Sequence, residues 1–166
     1  MAHGVVRTDK LAATDNRALI CSVRYQPGST ATDIDNGNVV VIGALEDGSR
    51  EVYEGTTPAA NSAIKNVVLI ASPEVMYDER KRNLEDFYNE AGKIARGYHL
   101  HTNDIFSVTK DALDGKETPE KGDVVELKAG TKLNVAAEAT GGSTVVGKII
   151  DINVVGKYTY YAIQVA

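Results

Sequence analysis

His99-Leu100-His101 places two imidazoles on one face of any strand that carries them, because strand side chains repeat with period two. Such a pair can begin a zinc site, with Asp104 the nearest third donor. Catalytic zinc generally takes three protein ligands and structural zinc four. The other histidine, His3, stands near the chain start, and the single cysteine, Cys21, is distant in sequence. Two exposed strand histidines are therefore the expectation, without metal. A serine or cysteine nucleophile needs a nearby histidine base and an orienting acid. No G-x-S-x-G elbow occurs, and two of the three histidines share one strand. The carboxylate pairs Asp33/Asp35 and Glu85/Asp86 read as solvated turn and helix-start charges rather than a glycosidase pair. Gly141-Gly142-Ser143-Thr144 lacks the preceding pattern and the lysine of a phosphate loop. The expectation is a non-enzymatic structural or binding module with no catalytic, cofactor-binding or metal residues.

The elements that would position any such site read mainly as short strands. Glycine occurs 15 times in 166 residues, Val, Ile and Thr recur throughout, and eight of the ten aromatics are Tyr. Ala18–Tyr25 is the first strand candidate, ended by Gln26-Pro27-Gly28. The Asn36-Gly37 turn feeds Val39–Ile42, and Val67–Ala71 is a second continuous apolar run. Runs of this kind suit strands buried on both faces. Arg50–Glu54 alternates like a half-buried strand. Leu84, Phe87, Tyr88, Ala91, Ile94 and Ala95 fall at helical spacing, which predicts a short helix over 79–90, followed by a strand over 93–101. Further strands are predicted near 103–108, 122–127, 132–135, 145–152 and 158–165. The fold class is mainly β: a small β-barrel or sandwich with one short helix and an N-terminal arm. Residues 1–17 form the arm and 18–166 the β-rich domain, with a subdivision placed near residue 90.

Charge and composition narrow the partners. The net charge is −5 with acids and bases interspersed, and the basic run Arg80-Lys81-Arg82 is hemmed by Asp78, Glu79, Glu85 and Asp86. A nucleic-acid binder needs a basic stripe for phosphate contacts, so none is expected as a partner. No apolar run approaches the roughly 18 residues of a membrane span, and the start lacks a secretory apolar region. Membrane association is not expected. A lone Cys21 in an apolar stretch reads as a buried thiol made in a reducing compartment, which points to synthesis in the cytoplasm.

Ser72–Arg80 is the most individual segment, and with Arg82 it makes up the loop Pro73–Arg82. Pro73 stiffens it, and it mixes Val75, Met76 and Tyr77 with Arg80 and Arg82 directly after a buried-type strand. Tyr, Met and Arg are enriched at interfaces, so this is a candidate contact loop. Val5, Val6 and Arg7 give the arm a means of docking.

Three stretches carry a resemblance. Ile34-Asp35-Asn36-Gly37-Asn38-Val39-Val40, Ala71 through Glu79, and Ala95-Arg96-Gly97-Tyr98 with Asp104 through Val108 resemble small proteins encoded beside the major capsid protein in tailed phages of Gram-positive bacteria. The similarity runs from about residue 18 to the C-terminus. It implies a virion structural protein on the capsid exterior, a head decoration (cement) protein. The implied partners are the major capsid protein and further copies of this chain. On that reading the capsid interface comprises Val5, Val6, Arg7, Val75, Met76, Tyr77, Arg80 and Arg82. A phage tail or baseplate component shares the β-rich, non-catalytic character. A carbohydrate-binding module is the other class left open, on the alternation of Tyr158 and Tyr160, although the chain has no Trp for an aromatic platform.

Overall fold

The computed structural model describes residues 2–166. It is mainly β, as the sequence predicts. Strands β2 (Ile20–Tyr25), β3 (Val39–Leu45), β4 (Val52–Thr56), β5 (Val67–Ile70) and β6 (Ala95–His99) close into a barrel in the order β2-β4-β3-β5-β6. Strands β1 (Val6–Lys10), β7 (Ile105–Thr109), β8 (Leu113–Gly115), β9 (Val124–Glu126), β10 (Leu133–Ala136), β11 (Val145–Val155) and β12 (Tyr158–Val165) form a seven-stranded sheet ordered β1-β7-β12-β11-β9-β10-β8. Along the chain, the barrel gives way to the sheet between β6 and β7, and β1 joins the sheet from before the barrel.

The apolar runs that predicted doubly buried strands do bury both faces. On β3 and β5, Val39, Val67 and Leu69 pack into one cluster with Phe106, Val125, Leu133 and Ile163 of the sheet. Their neighbours Val40, Val68 and Ile70 point the other way, into the barrel with Val23, Tyr25, Ile34 and Ala95. Period-two alternation thus assigns one face of each strand to the barrel interior and one to the shared core. The barrel is narrow. A Cβ at Gly97 would lie 2.9 Å from Val68 Cγ2 and 3.0 Å from Cys21 Sγ, so only hydrogen fits there.

Two expectations need correction. The first concerns the arm. Met1 lies outside the described residues, but the rest of 1–17 is built into the fold. β1 pairs antiparallel with β7, Val6 opposite Val108 and Arg7 opposite Ser107. Val5, Leu11 and Ala13 are buried. The segment also supplies the α-helical turn α1 (Ala12–Asp15), whose first N–H donates to Asp104 Oδ1 at 2.9 Å. Only one side of this strand is apolar, so its pattern is too brief to read as a strand, yet Leu11 completes the core. The second correction is the helix at 79–90. The structure holds only a single 3-10 turn there, Leu84–Asp86. The helical stripe is not gathered onto one surface: Leu84 and Ile94 are exposed, Tyr88 stacks on His3 and Ala95 is buried in the barrel. Local side-chain bonds compete with helix, Asp86 accepting from the backbone N–H groups of Arg82 and Asn83 at 3.1 and 3.0 Å. Asn89 is drawn away into a bridge with Ile34.

One buried carboxylate fixes register in the sheet. Glu126 lies opposite Asn134 in the β9–β10 ladder and is almost wholly buried. Burial alone would raise its pKa. Thr140 Oγ1 at 2.6 Å, Thr140 N–H at 2.8 Å and Asn134 Nδ2 at 2.9 Å donate to it, and together they hold the carboxyl below the usual range. A folded-state value below the unfolded one, about 4.3, contributes stability above that pH. The contribution is lost as pH falls through the folded value. Glu126→Gln is expected to melt below wild type at neutral pH, with the gap closing as pH falls below about 4.3. Melting curves of both proteins across that range check it, and a pH-independent gap would contradict it.

Candidate interaction surface

Segment 73–88 leaves the barrel after β5 and returns before β6, and both its ends are pinned by one buried amide. Asn36 Oδ1 accepts from Ser72 N–H at 3.0 Å and from Asn89 Nδ2 at 3.2 Å, while Asn36 Nδ2 donates to Ser72 O at 2.9 Å. Asn89 Nδ2 also donates to Ile34 O at 3.0 Å. The Asn36-Gly37 turn makes this possible, with Gly37 at φ +83°. A long loop is thereby held at its base while its middle faces solvent.

That middle carries the residues singled out from sequence. Tyr77 is 96% exposed and Val75 59%, with Met76 half-buried between them. Arg80 forks onto Asp78, its Nε 3.0 Å from Oδ1 and its Nη2 2.8 Å from Oδ2. The Arg80 bond holds the Asp78 carboxyl below its ordinary value. Arg82 Nε donates to Glu79 O at 2.8 Å. Both arginines therefore shape the loop from within as well as presenting charge.

Tertiary structure brings two further segments beside this loop. His3 N–H donates to Glu85 O at 3.0 Å, and the His3 ring stacks on Tyr88 with centroids 4.7 Å apart. Lys157, in the turn between β11 and β12, reaches Glu85 Oε1 at 2.7 Å. That hairpin end exposes Val154 and Val155, 73% and 52%. Arg7 pairs with Asp9 at 2.9 Å and lies over the Tyr160 ring at 5.2 Å. The loop, the chain start and the β11–β12 turn thus converge around Glu85.

Of the sequence candidates, Arg7, Val75, Met76, Tyr77, Arg80 and Arg82 all retain exposed or half-exposed surface. Val5 and Val6 do not: both side chains are buried in this chain's own core, so neither can dock elsewhere while β1 is paired. Glu85, Tyr88 and the Val154–Lys157 turn escaped sequence reasoning. Val154-Val155-Gly156-Lys157 did hold a signal, two apolar residues ahead of a two-residue hairpin turn.

The histidine pair is placed as follows. His99 is half-buried and His101 exposed. Burial, and secondarily the charge of His101, lower the His99 pKa. Asp104 cannot serve as a ready third ligand, because Oδ1 accepts from Ala12 N–H and Oδ2 from His101 N–H, both at 2.9 Å. Among the described residues, no group of three or more His, Cys, Asp or Glu is placed to hold a metal ion. Burial pushes the Cys21 thiol up to about 11, which keeps it protonated and weakly nucleophilic at neutral pH. Among the described residues, no helix is long and apolar enough to cross a membrane. No family model, curated protein or solved structure matches this chain.

Proposed function

We propose that this chain is a non-enzymatic virion structural protein of a tailed phage, a head decoration protein that binds the major capsid protein and stabilises the outer capsid surface. The observation that carries the reading is the 96% exposed Tyr77 on a loop whose two ends are locked into the core through Asn36. An aromatic presented on a restrained loop loses little conformational freedom on binding, which favours affinity. The resemblance of Ala71 through Glu79 to capsid-associated phage proteins names the partner. A ligand of the assembled shell alone stabilises that shell by mass action, and lattice repetition makes modest single contacts collectively strong. A carbohydrate-binding role is weakened by geometry. Tyr158 and Tyr160 are tilted by 56°, and Lys157 and Arg7 already cover their faces, which leaves no flat platform.

Tyr77→Ala is expected to weaken capsid binding by about 2 kcal/mol, roughly thirtyfold in Kd, while the melting temperature stays unchanged. Co-sedimentation with undecorated, expanded capsids measures the first and thermal melting the second. Wild-type protein that fails to sediment with capsids removes the decoration role and turns attention to the tail or baseplate. Wild-type binding that Tyr77→Ala leaves intact keeps the role and moves the interface elsewhere.

A further inference from the structure

A cleft of about 1380 Å³ lies between segment 72–90 and the outer face of the barrel at β2, β6 and the approach to β4. Arg17, Arg50, Lys93 and Arg96 line it, and among the described residues none of the four makes an ion pair. The barrel ladders order these cations. β2 and β4 are parallel, with Ser22 opposite Val52, so Arg17 and Arg50 stand together where both strands begin. β6 is antiparallel to β2, with Ser22 opposite Arg96 and Val23 opposite Ala95. Arg96 therefore sits midway and Lys93 at the far end.

The cleft's carboxylates do not neutralise this row. Asp78 is paired with Arg80, and the remaining Glu51, Asp86 and Glu90 are outnumbered by Arg17, Arg50, Lys81, Lys93 and Arg96. A chain of net charge −5 thus gathers unpaired positive charge in one elongated groove, with Val75, Tyr77 and Ile94 supplying exposed apolar contact.

We infer that this cleft binds an extended acidic segment of a protein partner, its carboxylates meeting Arg17 and Arg50 at one end, Arg96 midway and Lys93 at the other. Charge complementarity selects the ligand. Side chains on one face of an extended peptide recur about every 6.6 Å, so sparse carboxylates interleaved with aliphatic residues match both the cations and the apolar wall. A nucleic acid matches less well, because its unbroken phosphate charge must pass Glu51 and Glu90. An acidic segment of this kind fits the cleft whether or not it belongs to a capsid.

The test is fluorescence anisotropy with a fluorescein-labelled peptide of about eight residues, alternating Glu and Val. The same peptide with Lys for Glu, and an oligothymidylate, serve as competitors for comparison. The Glu peptide is expected to bind, and the Lys peptide not. Arg50→Glu combined with Arg96→Glu should weaken binding at least tenfold, whereas Lys132→Glu, an exposed charge outside the cleft, should leave it unchanged. Melting temperatures confirm that the variants fold, which the exposure of all three side chains favours. The inference is overturned if the Glu peptide fails to bind at about 1 mM, or binds no better than the Lys peptide. It is equally overturned if the double variant binds like wild type. Tighter binding of oligothymidylate than of peptide would reassign the cleft to nucleic acid.

Discussion

Leu11→Ala is expected to lower the unfolding free energy by about 3 kcal/mol, within the range for truncating a fully buried leucine. Leu11 is 1% exposed and belongs to the core cluster that contains Phe106, Val108 and Ile163. It lies between β1 and α1, which are held to the sheet by the short β1–β7 ladder, the two Val5–Thr109 bonds, Ala12 N–H donating to Asp104, and Ser107 Oγ donating to Asp9. The cavity left by truncation therefore adds to a loss of anchorage for the whole chain start. Denaturant titration would show the drop, and hydrogen exchange should show amides of 5–13 losing protection first. A change below about 1 kcal/mol would mean that the chain start docks on a core already complete without it. Capsid-binding studies on deletions of this segment must be read accordingly, since such deletions remove core as well as surface.

Asn36→Ala is expected to cost about 2 to 3 kcal/mol, because it leaves the buried N–H and C=O of Ser72 without these partners and takes one of two from Asn89 Nδ2. Ser72 N–H and Asn89 Nδ2 lose the oxygen they share, and Ser72 O loses the Nδ2 donor. The distinctive consequence is local. With the Ser72 end released and the Asn89 end held only through Ile34, protease cleavage within the exposed Val75–Arg82 stretch should accelerate before global unfolding sets in. Asn36→Asp keeps the acceptor but sets a buried carboxylate oxygen against Ser72 O and Glu74 Oε1, so it should destabilise at least as much. Limited proteolysis beside an equilibrium melt separates the two contributions. Loop cleavage at the wild-type rate in Asn36→Ala would show that contacts along the loop, such as Lys81 over Tyr88 and Lys157 with Glu85, suffice to hold it.

Strand identity was legible where side chains alternate or where an apolar run exceeds what one face can use. Val39–Ile42 and Val67–Ile70 announced two buried faces because every residue was apolar, and the structure uses each face for a different core. The Tyr77 loop was legible as well, since Pro73 follows a buried strand and is succeeded by apolar residues among charges. Three things were decided only by tertiary structure. Val5, Val6 and Leu11 became core because β7 offered an edge to pair with and the sheet a gap for Leu11, neither of which is local information. Residues 79–90 are not helical because Asp86 ties up the local backbone and a distant Asn36 and Ile34 claim Asn89. The surface around Glu85 joins segments more than 70 residues apart, His3 to Glu85 and Glu85 to Lys157. Sequence sets which faces must be buried, through side-chain periodicity and polarity. Which distant face meets which depends on strand order and register, which no single segment encodes.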